Sequence, residues 1–169
     1  MKDVKAPPIV CIAGLSGSGK TTLIERLIPE LIERGLKVGT VKHNPHEFEM
    51  DKPGKDSRRH KKAGASATII SSPDKIGMVM DVDHDLKPEE LVPFLSDMDI
   101  ILAEGYKRSN NDKIEVIRSG AEGNLLLKDD ENLLAVVTDS ELDLDVLRFS
   151  TADIKGLADF LGLYFNLLP

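Results

Sequence analysis

A glycine-rich segment near the start of the chain carries the strongest chemical signal. Residues 14–21 read Gly-Leu-Ser-Gly-Ser-Gly-Lys-Thr, which matches G-x-x-x-x-G-K-[ST] at every fixed position. In this pattern backbone N–H groups surround a phosphate, the lysine reaches the β and γ phosphates, and the threonine holds Mg²⁺. The alternative is a glycine-rich turn with an incidental lysine. We predict a nucleotide phosphate site formed by these residues: Gly14, Ser16, Gly17, Ser18, Gly19, Lys20, Thr21 and Thr22.

A second candidate is an acid at the end of an apolar run. Residues 99–105 read Asp-Ile-Ile-Leu-Ala-Glu-Gly, which is typical of a buried parallel strand that ends in a carboxylate. Mg²⁺ beside a phosphate loop is usually steadied by a carboxylate from a neighbouring strand. We therefore expect Glu104 to join Thr21 as a metal ligand, with Gly105 leaving room for a phosphate. A solvated acid at the strand end is the simpler alternative.

The region between residues 43 and 62 combines many polar side chains with little periodicity. Long loops in compact domains are usually functional, so we expect a switch, a lid or a second-ligand site here. The candidate residues are His43, His46, Asp51, Asp56 and Arg59, with Lys107 as a further anion contact. The His-x-x-His pair also allows a metal-site interpretation, but no cysteine or clear third ligand accompanies it. A flexible solvated loop is the simpler alternative.

Asp139 follows the apolar run of residues 133–137, at a strand end where doubly wound folds place the nucleotide base. We expect Asp139 to be a candidate base contact, since its carboxylate can accept hydrogen bonds from N1 and N2 of guanine. A turn or helix cap is at least as common for a Thr-Asp pair. The guanine pattern N-K-x-D is absent, so the residues alone leave GTP and ATP open.

The elements around these residues predict an α/β chain. The apolar run 9–13, the glycine-rich loop, the amphipathic segment 20–34 and the run 37–42 form a strand-helix-strand unit of a parallel sheet. Further strands are predicted over 67–71, 77–82, 99–105, 114–118 and 133–137, with a helical turn around residues 56–62 and helices over 88–95 and from residue 150 or 151. We predict one P-loop NTPase-like domain over residues 1–169, with a mostly parallel sheet flanked by helices and additional short strands available to pair in a dimer.

Composition and charge exclude several classes of protein. The 169 residues carry 22 basic and 29 acidic side chains, a net charge of −7, so the surface repels polyanions and we expect no nucleic-acid partner. The single cysteine, Cys11, lies inside an apolar run and allows no intramolecular disulfide. No stretch reaches the roughly 18 apolar residues of a membrane span, and the first residues lack a signal-peptide pattern. We expect a cytoplasmic protein with no membrane contact.

Several of these segments together resemble the molybdopterin-guanine dinucleotide biosynthesis protein B family, MobB. The resemblance rests on the phosphate loop, Thr40-Val41-Lys42-His43 with His46, Asp51-x-x-Gly54-Lys55-Asp56-Ser57-x-Arg59 with Ala63-Gly64-Ala65, and Glu104-Gly105-Tyr106-Lys107. Very many nucleotide-binding proteins share the phosphate loop. The other segments are far more specific, and the resemblance spans most of the chain.

The resemblance implies a GTP-binding accessory protein that uses Mg²⁺ and hydrolyses GTP slowly at most. It implies a homodimer that assists a partner enzyme, the molybdopterin guanylyltransferase that joins GMP to molybdopterin, and it leaves binding of molybdopterin itself open. Two other classes stay open from the residues. One is a P-loop small-molecule kinase in which Asp56 or another acid activates an acceptor, and the other is a metallochaperone GTPase that uses His43 and His46.

Overall fold

A computed structural model gives the fold of residues 6–44, 46, 56–118, 120, 125–142 and 145–168. The chain divides into two compact units, one formed by residues 1–43 and 87–169 and the other by residues 44–86. Two units that are compact in themselves can still fold as one domain. The expectation of a single domain over the whole chain therefore stays a prediction.

Eight strands and four α-helices follow one another along the described residues. In chain order they are β1 (Ile9–Ala13), α1 (Lys20–Glu33), β2 (Val38–Lys42), α2 (Asp56–Lys62), β3 (Ala67–Ser71), β4 (Ile76–Met80), α3 (Pro88–Leu91), β5 (Ile100–Glu104), β6 (Asp112–Val116), β7 (Leu133–Val137), β8 (Leu147–Phe149) and α4 (Ile154–Tyr164). A 3₁₀ helix, Val92–Leu95, follows α3 directly. Within the part of the chain described, no helix is both long and apolar enough to cross a bilayer.

The larger unit is built on a six-stranded sheet in the order β2-β5-β1-β6-β7-β8. Every neighbouring pair in it is parallel. This architecture confirms the predicted α/β fold with a parallel sheet flanked by helices. Strand β8 and its place at the sheet edge were not predicted from the sequence.

The central strand β1 is buried on both faces, as its continuous apolar sequence predicts. Val10 and Ile12 belong to the main core, where the apolar stripe of α1 and the inner face of α4 cover the sheet. Ile9 and Cys11 belong to a smaller core on the opposite face. The two cores hold β1 rigidly, so its carboxyl end is a fixed platform for the loop that follows.

Strand β6 buries two charged side chains, and both have partners. Lys113 is fully buried, and its ammonium lies 3.1 Å from a carboxylate oxygen of Asp130. The carboxylate of Glu115 accepts hydrogen bonds from the backbone N–H groups of Leu126 at 2.8 Å and Leu127 at 2.9 Å. Burial raises the pKa of Glu115 above its ordinary value, although these two N–H donors act in the opposite direction. Both charges fasten the segment around residues 126–130 to the sheet.

The smaller unit holds α2 and the antiparallel pair β3–β4. In this pair Ile69 lies opposite Met78 and Ser71 opposite Ile76, so their side chains share one face of the hairpin. Ile69, Ile76, Met78 and Met80 on this face are all exposed. We call these four residues the hairpin face.

Candidate phosphate and metal site

The loop between β1 and α1 depends on glycines for its conformation. Gly14, Gly17 and Gly19 have φ values of +139°, +73° and +102°, which L side chains rarely adopt. A Cβ on Gly14 would lie 2.4 Å from the carbonyl oxygen of Val116, so the loop approaches the end of β6 too closely for any other residue. Gly19 is the N-cap of α1, and the helix N-terminus therefore opens directly from the loop.

Lys20 folds back over this loop. Its ammonium donates hydrogen bonds to the carbonyl oxygens of Gly14 at 3.0 Å and Leu15 at 2.7 Å. Its positive charge is thereby held above the glycine backbone, where the predicted phosphate would lie. Of the other predicted phosphate residues, Ser16 and Thr22 are exposed.

Ser18 carries an unused polar atom. Its Oγ is buried and has no hydrogen-bond partner among the described residues. A cavity of about 130 Å³ borders the loop here, lined by residues 15–18 and 115–118. A buried hydroxyl without a partner is costly unless a ligand or water satisfies it, which fits a loop built to bind a polar ligand.

Thr21 and Glu104 meet although 83 residues separate them. The register that pairs Ile12 with Glu104 brings the end of β5 beside the loop that leaves β1. The hydroxyl of Thr21 donates to the Glu104 carboxylate, 3.1 Å from Oε1 and 3.0 Å from Oε2. Adjacent ligands of an octahedral Mg²⁺ with bonds of about 2.0–2.1 Å lie about 2.9 Å apart. The hydroxyl and carboxylate oxygens are thus hard ligand atoms, and the spacing between them fits Mg²⁺.

Lys42 is part of this site and was not among the predicted site residues. It is the last residue of β2 and lies in register with Glu104, the last residue of β5. Its ammonium is 3.4 Å from Oε1 of Glu104, and its side chain is 66% exposed. The sequence does not show that β2 and β5 are neighbouring strands. The contact between Lys42 and Glu104 could therefore be recognised only once the order of the strands in the sheet was known.

His43 and Tyr106 form an aromatic pair beside Glu104. Their ring centroids are 4.4 Å apart, and the backbone N–H of His43 donates to the carbonyl oxygen of Glu104 at 3.0 Å. Gly105 has a φ of +105°, and a Cβ there would lie 3.1 Å from the Cβ of His43. The predicted residue His43 therefore lies at the site, packed against the turn that follows Glu104, while Lys107 in the same turn is exposed.

Asp139 is bonded to the segment that leads into α4. Its two carboxylate oxygens accept from the backbone N–H of Thr151 at 2.8 Å and from the Thr151 hydroxyl at 2.5 Å. These two donors lower the pKa of Asp139 below its ordinary value. Ionised carboxylates have about four acceptor positions, so two remain for a base.

The remaining predicted residues belong to the smaller unit or lie outside the described residues. His46 and Asp56 are exposed, and Asp56 forms an exposed ion pair with Arg59 at 3.2 Å. Asp51 lies outside the described residues. Among the residues that are described, no group of three or more His, Cys, Asp or Glu side chains is placed to hold a metal ion.

The fold and this site define a class: a parallel α/β protein in which a glycine-rich loop joins the central strand to a helix, with a strand-end carboxylate beside the loop. The sequence also matches the family described as Molybdopterin guanine dinucleotide synthesis protein B, MobB, over residues 9–139. The chain belongs to the MobB family. The resemblance seen in the sequence is thereby confirmed.

Relatives of known name extend over most of the chain. The chain is 40% identical over 163 residues to the molybdopterin-guanine dinucleotide biosynthesis adapter protein of Escherichia coli (strain K12), covering 90% of each. It is 36% identical over 156 residues to the protein of that name from Haemophilus influenzae, covering 91% of this chain and 87% of the relative.

Solved structures of the family share the fold. A crystal structure of molybdopterin-guanine biosynthesis protein B superposes with a TM-score of 0.76 at 31% identity, covering 94% of this chain and 99% of that one. The crystal structure of Bacillus subtilis MobB gives a TM-score of 0.74 at 28% identity, with 94% and 97% covered. The parallel sheet flanked by helices is thus the family's architecture.

Proposed function

We propose that this chain is a GTP-binding accessory protein of molybdenum cofactor biosynthesis. In this role it assists a partner guanylyltransferase that attaches GMP to molybdopterin, and it does not itself carry out the transfer. The names of its relatives, which are adapter proteins of molybdopterin-guanine dinucleotide biosynthesis, support the pathway and the assisting role. The proposal includes a cytoplasmic location and a homodimer.

The contact between Thr21 and Glu104 carries the nucleotide part of the proposal. Two oxygen donors from distant segments meet at 3.0–3.1 Å beside a glycine loop that opens into a helix N-terminus. In the proposed complex the loop N–H groups and the ammonium of Lys20 bind the phosphates, and Thr21 and Glu104 hold Mg²⁺. Mg²⁺ supplies neutralisation of phosphate charge when it is bound.

The proposed regulation acts through the turn after Glu104. His43 is bonded to the Glu104 carbonyl and stacked on Tyr106, and it is the last residue before the smaller unit begins. A nucleotide that shifts Glu104 acts directly on His43, and hence on the start of the segment that joins β2 to α2. We propose that this segment presents the nucleotide state to the partner enzyme.

Calorimetric titration with GTP and then ATP, each with Mg²⁺, tests the proposal. We expect saturable Mg²⁺-dependent binding of GTP, weaker binding of ATP and little hydrolysis. Lys20→Ala removes the ammonium that the phosphates need, so its GTP binding falls below detection. Lys37→Ala, which removes an equal charge at the opposite end of β2, serves as the matched control and binds normally.

The outcomes separate the competing classes. Normal GTP affinity in Lys20→Ala removes the proposed phosphate site. Equal binding of ATP and GTP, with NTP consumption that rises when a small acceptor is added, favours a kinase instead. Asp139→Asn then tests the base contact, because an amide accepts the two guanine N–H groups less well than a carboxylate, and the preference for GTP falls.

A further inference from the structure

We propose that Lys42 binds the terminal phosphate of the nucleotide, and that Mg²⁺ releases it from Glu104 to do so. This inference rests on the proposed function, since it concerns a residue of the same Mg²⁺-nucleotide site. It assigns Lys42 a task different from that of Lys20, and it makes the site sensitive to whether the nucleotide is a triphosphate or a diphosphate.

In the structure Lys42 forms an ion pair with Glu104, the carboxylate that is proposed to hold the metal. Its ammonium lies 3.4 Å from Oε1 of Glu104, while the Thr21 hydroxyl contacts both oxygens of that carboxylate. The Glu104 side chain is only 15% exposed, so it has little water to screen it. Without metal, the ammonium of Lys42 neutralises this carboxylate.

A Mg²⁺ held by Glu104 would weaken the contact between that carboxylate and the ammonium of Lys42. Mg²⁺ requires short bonds and near-octahedral geometry, and two cations a few ångströms apart repel each other strongly in a partly buried site. Lys42 can leave, because its side chain is 66% exposed and ends a flexible four-carbon stem. Lys20 differs, since its ammonium is held by two carbonyl oxygens of the loop.

The terminal phosphate of a bound triphosphate would offer an acceptor for the released ammonium. With a triphosphate bound, Thr21 and Glu104 would hold Mg²⁺ close to the terminal phosphate, and that phosphate would supply an anionic acceptor for Lys42. A diphosphate offers no such group. Lys42 therefore gains a charge-assisted hydrogen bond with GTP that it does not gain with GDP.

Titration of purified protein with GTP and GDP, each in excess Mg²⁺, tests this assignment in Lys42→Met. We expect the affinity for GTP to fall about tenfold or more, as expected for the loss of a hydrogen bond to a charged group. The affinity for GDP changes less than about threefold, because only an exposed ion pair is lost. Lys37→Met, one residue before β2, is the matched control, with the same charge change and normal binding of both nucleotides.

A Mg²⁺ titration of the GDP complex gives a second readout with the opposite sign. In the wild type Mg²⁺ must displace Lys42 from Glu104, whereas in Lys42→Met it has no competitor. The GDP complex of the variant therefore reaches half-saturation with Mg²⁺ at a lower Mg²⁺ concentration, although the variant binds GTP more weakly. If Lys42 had only a structural role, its loss would weaken the binding of GTP and the binding of Mg²⁺ together. Thermal melting of the variant checks that it is folded.

The failure of this assignment differs from the failure of the proposed function. Equal losses for GTP and GDP, or no loss for either, overturn the role of Lys42 while wild-type binding of GTP keeps the proposed function intact. A wild type that binds neither GTP nor ATP overturns the proposed function and this assignment with it. An unchanged or higher Mg²⁺ requirement in Lys42→Met overturns the competition for Glu104.

Discussion

Gly14 and Gly17 of the phosphate loop differ in the space available for a side chain. Both have positive φ, but a Cβ on Gly14 would lie 2.4 Å from the Val116 carbonyl oxygen, whereas one on Gly17 would meet nothing within 4 Å. Gly17→Ala therefore costs only the strained backbone, about 1–2 kcal/mol of unfolding free energy. Gly14→Ala adds a clash with backbone that cannot rotate away, and we expect a loss of about 3 kcal/mol or more.

Urea unfolding of the two variants measures this difference. Because the two substitutions are chemically identical and three residues apart, each is the other's control for the effect of a methyl group in the loop. Equal losses would mean that the loop moves away from β6 at little cost. The close approach of Gly14 to the end of β6 would then not be what fixes the loop.

At the residue scale, the sequence was most informative where the spacing of neighbouring residues alone determines the local structure. The spacing of Gly14, Gly19, Lys20 and Thr21 predicts a loop followed by a helix, and the structure has both. Glu104 was predicted as a metal ligand from the end of an apolar run; the structure brings its carboxylate to Thr21, and its role as a ligand stays a prediction. Lys42 was missed because its contact depends on β2 lying next to β5, and no local pattern encodes that order.

The bond between Asp139 and Thr151 joins the end of β7 to the segment before α4, and it makes a pH-dependent contribution to stability. The two Thr151 donors lower the pKa of Asp139 from its ordinary value of 3.8. A carboxyl whose pKa is lowered on folding stabilises the folded state above its ordinary pKa, and this contribution disappears as the pH falls through the lower folded value. We expect wild type to be more stable than Asp139→Asn at pH 7, with a gap that narrows below about pH 4.

Chemical denaturation at a series of pH values tests this prediction. Thr151→Val is the matched variant, since it keeps the carboxylate and removes the hydroxyl that lowers its pKa. Its stability should vary less with pH in the acidic range than that of wild type. A gap between wild type and Asp139→Asn that stays constant from pH 7 to pH 2 would contradict the role of the ionised carboxylate.

At the element scale, long apolar segments were predicted well and elements that depend on distant contacts were not. Strand β8 is three residues long, and Leu147 and Arg148 are exposed, so it has no pattern that predicts a strand; pairing with β7 creates it. The last helix was predicted from residue 150 or 151 but begins at Ile154. Asp139, twelve residues before Thr151, holds Thr151 in the turn that precedes the helix. The side chain of Asp153 caps the helix by accepting from the Gly156 N–H.

At the scale of the whole molecule, the two sheets differ in how they bury their faces. The six-stranded sheet has a core on each face, as a parallel sheet requires. The β3–β4 pair leaves the hairpin face exposed, and Ile76, at the start of β4, is 75% exposed. A contiguous exposed apolar face is typical of a protein interface. The expected homodimer has its best candidate surface here, although the sequence predicted only that short strands after residue 66 are available to pair.

Charge substitution on the hairpin face tests the homodimer. In a two-fold interface both subunits contribute the same patch. Ile76→Glu therefore places two carboxylates in one apolar contact, and the burial of each of them destabilises the dimer. We expect light scattering coupled to gel filtration to give a dimer for wild type and a monomer for Ile76→Glu. Leu163→Glu, at a position 61% exposed on α4, is the matched control and remains dimeric. A dimer in Ile76→Glu would exclude the hairpin face as the interface, and a wild-type monomer at high concentration would remove the homodimer from the proposal.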